Sequence, residues 1–120
     1  GLENHVFLPG YRTDGDNLLR SADCFINASS SEALSFAILE AMEAGLPIIA
    51  TNIGGNPDIV NENTNCGALV EYNDIQALAK AMEDIMADEA KQNELSLNAR
   101  LAVKNIFNVD NSVKTAYNIY

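Results

Sequence analysis

The chain has 120 residues with 17 acidic and 7 basic side chains, a formal charge of −10, and that length suits one domain able to bury roughly two-thirds of its unfolded surface. Hydrophobic residues make up 48% and charged residues 20%, a globular composition that argues against disorder. The acidic balance argues against a nucleic-acid or anionic-membrane partner, and no apolar run approaches the ~20 residues of a membrane span.

In chain order, short apolar runs alternate with helical periods, the pattern of an α/β fold with a parallel sheet. His5–Leu8 is a predicted first strand, closed by Pro9-Gly10. A short helix follows over Asn17–Ser21, with Asp14 or Asp16 able to cap it. Cys24–Asn27 is a second strand, running into the polar stretch Asn27–Ser31. Leu34–Ala44 is a helix stopped by Gly45 and Pro47. Ile48–Ala50 is a third strand, followed by the Gly54-Gly55 loop and one helical turn over Pro57–Val60. Ala68–Val70 is a fourth strand. Beyond it, Ile75, Leu78, Ala79, Met82, Ile85 and Met86 mark one apolar helical face, with Asp74 at its start. Leu95, Ala99, Ala102 and Ile106 space a second helix, and Asn111–Tyr120 a third, with Val113, Tyr117 and Tyr120 on one side.

No secretory signal opens the sequence. Cys24 and Cys66 are too few for a disulfide scaffold, lie outside any C-x-x-C spacing and fit a reducing compartment. Asp14-Gly15-Asp16 imitates metal and calcium motifs, but Leu18 stands where an oxygen ligand is needed, so a solvated turn is the reading. His5 is a lone imidazole and reads as structural. Gly54-Gly55 lacks the dinucleotide fingerprint, and no Walker lysine or nucleophile elbow occurs.

The most informative stretch runs from Ser29 to Pro47, where a strand enters a Ser-rich turn and then a helix. The free N–H groups of such a helix start favour an anion, in the crevice where open parallel sheets bind ligands. Glu40 interrupts a helix that is apolar almost all round. A carboxylate there either accepts two hydrogen bonds from a ribose diol or lies with Glu43 on a narrow exposed stripe. Glu32 has two readings as well, because Ser29-x-x-Glu32 also matches a capping box.

Glu32 and Glu40 form Glu-x7-Glu, followed by Glu-Ala-Met-Glu-Ala-Gly-Leu-Pro-Ile-Ile-Ala-Thr-Asn-Ile-Gly-Gly-Asn-Pro-Asp-Ile-Val. This resembles the donor-binding signature of family-4 (group 1) glycosyltransferases, retaining enzymes of the GT-B fold. Val6–Gly10, Leu18–Asn27, Gly67–Glu71 and Asp74–Met86 resemble the flanking segments in order, so the resemblance covers nearly the whole chain. It implies that Glu32 lies near the donor sugar as the catalytic residue and that Glu40 binds the ribose of the nucleotide. It further implies that the backbone of Leu34, Ser35 and Phe36 receives the diphosphate and that Gly10 and Tyr11 meet the base. Ala33 departs from a common Gly, and Asp58 from a commoner Glu. The family's diphosphate-neutralising Arg and Lys fall outside the chain. Of its few basic residues, Arg12 and Arg20 lie near the strand ends.

The expectation is a Rossmann-like parallel sheet flanked by helices, residues 1–120 forming a partial C-terminal domain with a helical tail. The resemblance implies a nucleoside-diphosphate sugar as donor and a glycan or lipid-linked acceptor held by a preceding domain. It implies no metal, no further cofactor and a cytoplasmic setting. The alternatives are a nucleotide-sugar epimerase of the same fold and a non-catalytic nucleotide-binding or interaction module. The family's strand order 3-2-1-4-5-6 would leave His5–Leu8 and Cys24–Asn27 each without a neighbour, unless they pair together or with a second copy. Inactivity of the chain alone, weak nucleotide binding and self-association follow as expectations.

Overall fold

A computed structural model describes residues 1–31, 33 and 35–107. Three apolar runs become three parallel strands, β1 (Phe25–Asn27), β2 (Ile48–Thr51) and β3 (Gly67–Val70), in the order β1-β2-β3. Phe25 lies opposite Ile48, and Ile48 opposite Gly67. β2 is buried at all four residues, which explains why Ile-Ile-Ala reads as a continuous apolar run: a central parallel strand is covered on both faces. Ile48 and Ala50 face one core cluster, and Ile49 faces the other, as the two-residue period of a strand requires.

Helices cover both faces. α1 (Gly15–Ser21), α2 (Phe36–Glu43), α3 (Asn56–Ile59), α4 (Ile75–Met86) and α5 (Glu89–Ala102) alternate with the strands or follow them, and a π-helical turn closes Val103–Phe107. Ile38, Leu39, Ala41 and Met42 of α2 pack with Ala99 and Ala102 of α5 over Ile48 and Ala50. Ile85 of α4 and Leu95 of α5 pack with Ile49 and Val70 on the other side. α2 ends where Gly45 takes φ +81°, its N–H bonding the Met42 carbonyl while the Leu46 N–H bonds that of Ala41. Glycine adopts that backbone without a Cβ penalty. The Ser96 hydroxyl of α5 donates to the Gly45 carbonyl, tying the two helices.

Four expectations change. His5–Leu8 forms no strand. Its backbone bonds are turn contacts from His5 and Val6 to the Leu2 carbonyl, and Val6, Phe7 and Leu8 are exposed. A strand exists only by pairing, and among the described residues β1 is hydrogen-bonded to β2 alone. The short helix begins at Gly15, two residues earlier than expected. The apolar face of α4 is split: Ala77, Leu78, Ala81 and Ile85 meet the core, while Ile75, Ala79, Met82 and Met86 are exposed on its flank. Three strands are too narrow to cover the whole apolar arc. Ile106 is exposed, because the π turn shifts the register and turns Val103 and Phe107 inward instead. The helix expected over Asn111–Tyr120 lies outside the described residues, as do Tyr117 and Tyr120.

Candidate functional site

At the carboxyl end of β1 the chain leaves the sheet through a polar loop and re-enters structure at α2. Asn27, the last residue of β1, fixes both ends of that loop. Its Nδ2 donates to Ser35 Oγ at 3.2 Å, and its Oδ1 accepts from the Ser29 N–H at 3.1 Å. From the end of β2, Thr51 Oγ1 donates to the Ser29 carbonyl at 2.7 Å. Ser35 is the N-cap of α2, its Oγ accepting from the Ile38 N–H at 3.2 Å.

That cap corrects the helix start. Ser35 precedes the first helical residue, Phe36, so Ser29 caps no helix and the Ser29-x-x-Glu32 pattern is not the box that begins α2. A serine directly before the apolar run Phe36–Leu39, three residues ahead of the N–H it accepts from, is the signal that locates the true cap. The first-turn N–H groups of Phe36 and Ala37 have no intrahelical acceptor. Glu32 and Leu34 lie outside the described residues.

One turn beyond Phe36, Glu40 is half-buried on the open side of α2, while Glu43 is exposed. Glu40, Glu43 and Ala44 line a hollow of about 360 Å³ together with Asp16, Leu19 and Arg20 of α1. Three carboxylates and one guanidinium therefore share that wall, and among the described residues Arg20 forms no ion pair. Glu40 lies with Glu43 on the helix's less buried stripe, and that stripe walls the hollow.

Gly10 and Tyr11 precede α1 in the chain. Gly10 takes φ +74° and Tyr11 is 93% exposed. A shallow hollow of about 550 Å³ is lined by Pro9, Tyr11, Arg12, Thr13 and Asp14. Arg12 grips Asp14 through Nε and a terminal nitrogen at 2.7 and 2.6 Å, which holds the Asp14 carboxyl below its ordinary range and raises the guanidinium. The Asp14 carboxylate is thereby taken up, so it stands at the N-cap of α1 without a side-chain bond to the helix. Ser35, Phe36 and Glu40 thus belong to α2 and its cap, whereas Tyr11 borders a separate hollow that ends at Asp14, the N-cap of α1.

Sequence reasoning missed Asn27 and Thr51. The available signal was polar side chains at the last positions of two otherwise apolar strands. Among the remaining candidates, His5 and Asp58 are exposed. Asn56 is buried, its Nδ2 donating to the Thr51 carbonyl at 3.0 Å. Burial pushes the Cys24 thiol up to about 11 and also raises that of Cys66, the opposite of what a nucleophilic cysteine needs. Among the described residues no helix is long and apolar enough to cross a membrane.

The family described as "Glycosyl transferases group 1" matches residues 1–102. An Escherichia coli protein, UDP-Gal:alpha-D-GlcNAc-diphosphoundecaprenol alpha-1,3-galactosyltransferase, is 36% identical over 99% of this chain and 30% of its own length. A Rickettsia africae glycosyltransferase structure aligns over 99% of this chain and 32% of its own, at 31% identity and a TM-score of 0.83. Anabaena HepE, solved in complex with UDP and with UDP-glucose, aligns over the whole chain and 34% of its own, at 27% identity and a TM-score of 0.81. The chain spans about a third of the length of these relatives, and its parallel sheet with flanking helices matches GT-B glycosyltransferase structures. On the family match across most of its residues, the chain belongs to the group 1 glycosyl transferases.

Proposed function

We propose that this chain is the donor-binding part of a retaining glycosyltransferase that moves a hexose from a nucleoside-diphosphate sugar to an acceptor hydroxyl. The observation that carries the reading is Glu40, half-buried one turn beyond the capped start of α2 and lining the α1–α2 hollow. A carboxylate there accepts hydrogen bonds from both ribose hydroxyls. The first-turn N–H groups of α2 receive the diphosphate, favoured by the helix dipole. Glu32 acts beside the sugar, and Gly10 and Tyr11 meet the base. Arg20 is a cation in the same hollow, and further positive charge is supplied by segments that precede this chain in the transferase.

Rate enhancement then comes from holding donor and acceptor in line and from stabilising the departing diphosphate. The acceptor, a glycan or lipid-linked sugar, is held by a preceding domain. Cytoplasmic nucleotide sugars are the donor pool. UDP-sugars are the first to test, because relatives carry UDP in their names or their complexes.

The test is transfer of labelled sugar by the full-length transferase, with the product's anomeric configuration read by NMR. Retained configuration, and turnover that survives EDTA, are the expected results. Loss of turnover in EDTA restored by manganese would contradict phosphate handling by N–H groups and basic side chains. Interconversion of free donor without acceptor would favour an epimerase.

A further inference from the structure

The donor loop is held by a side chain that serves its strand poorly. Asn27 closes β1, where asparagine is disfavoured, and its half-buried amide would be costly if left unbonded. Both ends of the amide are used, and they reach opposite ends of the same loop: Ser29 at its entry and Ser35 at its exit. Ser35 is 1% exposed, and its oxygen accepts from both Asn27 and the Ile38 N–H. Thr51, 3% exposed, holds the Ser29 carbonyl from the neighbouring strand. One amide therefore fixes the span between the entry of the loop that contains Glu32 and the cap of the helix that contains Glu40.

We propose that Asn27 is a positioning residue for sugar transfer, setting Ser29, just after β1, against Ser35 at the N-cap of α2. This rests on the reading of that helix end as the donor site. The cap itself does not depend on Asn27, because Ser35 accepts the Ile38 N–H directly. Removing the amide unties Ser29 from Ser35, while Thr51 still holds the Ser29 carbonyl and α2 keeps its start. Small displacements near reacting atoms cost large factors in rate, so the effect falls on turnover more than on folding.

The experiment measures kcat, donor KM, acceptor KM and melting temperature for Asn27→Ala, Ser35→Ala and the double variant of the full-length transferase, with UDP-glucose or UDP-galactose as donor. Asn27→Leu, close in size and free of the amide, repeats the comparison should the truncation impair folding. Expected for Asn27→Ala is a tenfold to hundredfold fall in kcat, with acceptor KM unchanged and melting within a few degrees of the parent. The double variant should be little worse than the weaker single one, as expected for groups acting as a unit. A lowered melting temperature with donor kinetics unchanged would make the amide a structural tie and overturn the inference. Glu40→Gln, run alongside, separates the two claims. Unchanged donor affinity in Glu40→Gln overturns the donor-site reading and this inference with it. Loss in Glu40→Gln with none in Asn27→Ala overturns this inference alone.

Discussion

Gly67 opens β3 opposite Ile48 of β2, and a Cβ there would lie 1.6 Å from the Ile48 carbonyl oxygen. No rotamer relieves that overlap, so Gly67→Ala should separate β2 from β3 and cost about 3 kcal/mol or more in chemical denaturation. A wild-type midpoint would contradict the close approach. Gly45→Ala is milder, about 1–2 kcal/mol for the left-handed backbone, because the group it meets is the movable end of Arg100. Cys24 gives a pH signature. Its thiol, raised to about 11 by burial, keeps its proton in the folded state above the pH at which an unfolded cysteine loses it. The folded state then binds more protons, and stability falls as pH climbs from about 9 toward 11. Melting curves over that range should show the fall, reduced in Cys24→Ala. A pH-independent curve would sink this assignment.

At the scale of elements, the sheet was legible because β2 is buried on both faces and its composition says so. Asp74 was legible as a cap because its carboxylate accepts from the Ala77 N–H three residues on. Pairing was not legible. His5–Leu8 has the composition of a strand, but composition names no partner. Helix registers were partly hidden for the same reason. The apolar stripe of α4 is wider than the sheet beneath it, and the π turn after α5 exchanges Ile106 for Phe107 without any mark in the spacing. Denaturation of α4 variants tests this split. Ile85→Ala, from a residue 2% exposed, should cost about 2–4 kcal/mol, whereas Met86→Ala should stay within about 0.5 kcal/mol. Equal losses would mean that α4 sits in a different rotation.

On the scale of the whole molecule, among the described residues β1 has one hydrogen-bonded neighbour, and Val6, Phe7, Leu8, Ile75, Met82 and Met86 are exposed. An unpaired strand edge beside apolar surface promotes association. Light scattering of the isolated chain should therefore show mass rising with concentration, and a constant monomer mass would contradict that. The site divides in the same way as the fold. The place of Glu40 on the wall of a hollow was legible, because a carboxylate that interrupts an apolar helix marks its less buried side. Asn27 and Thr51 were not, because their roles depend on which strand ends lie together. Whether Glu40 holds the donor's ribose is read by calorimetric titration of UDP into full-length wild-type and Glu40→Gln transferase. Affinity in the variant should be weaker by about 1.5–3 kcal/mol with an unchanged melting temperature; equal affinity for the two proteins would rule out ribose binding by Glu40.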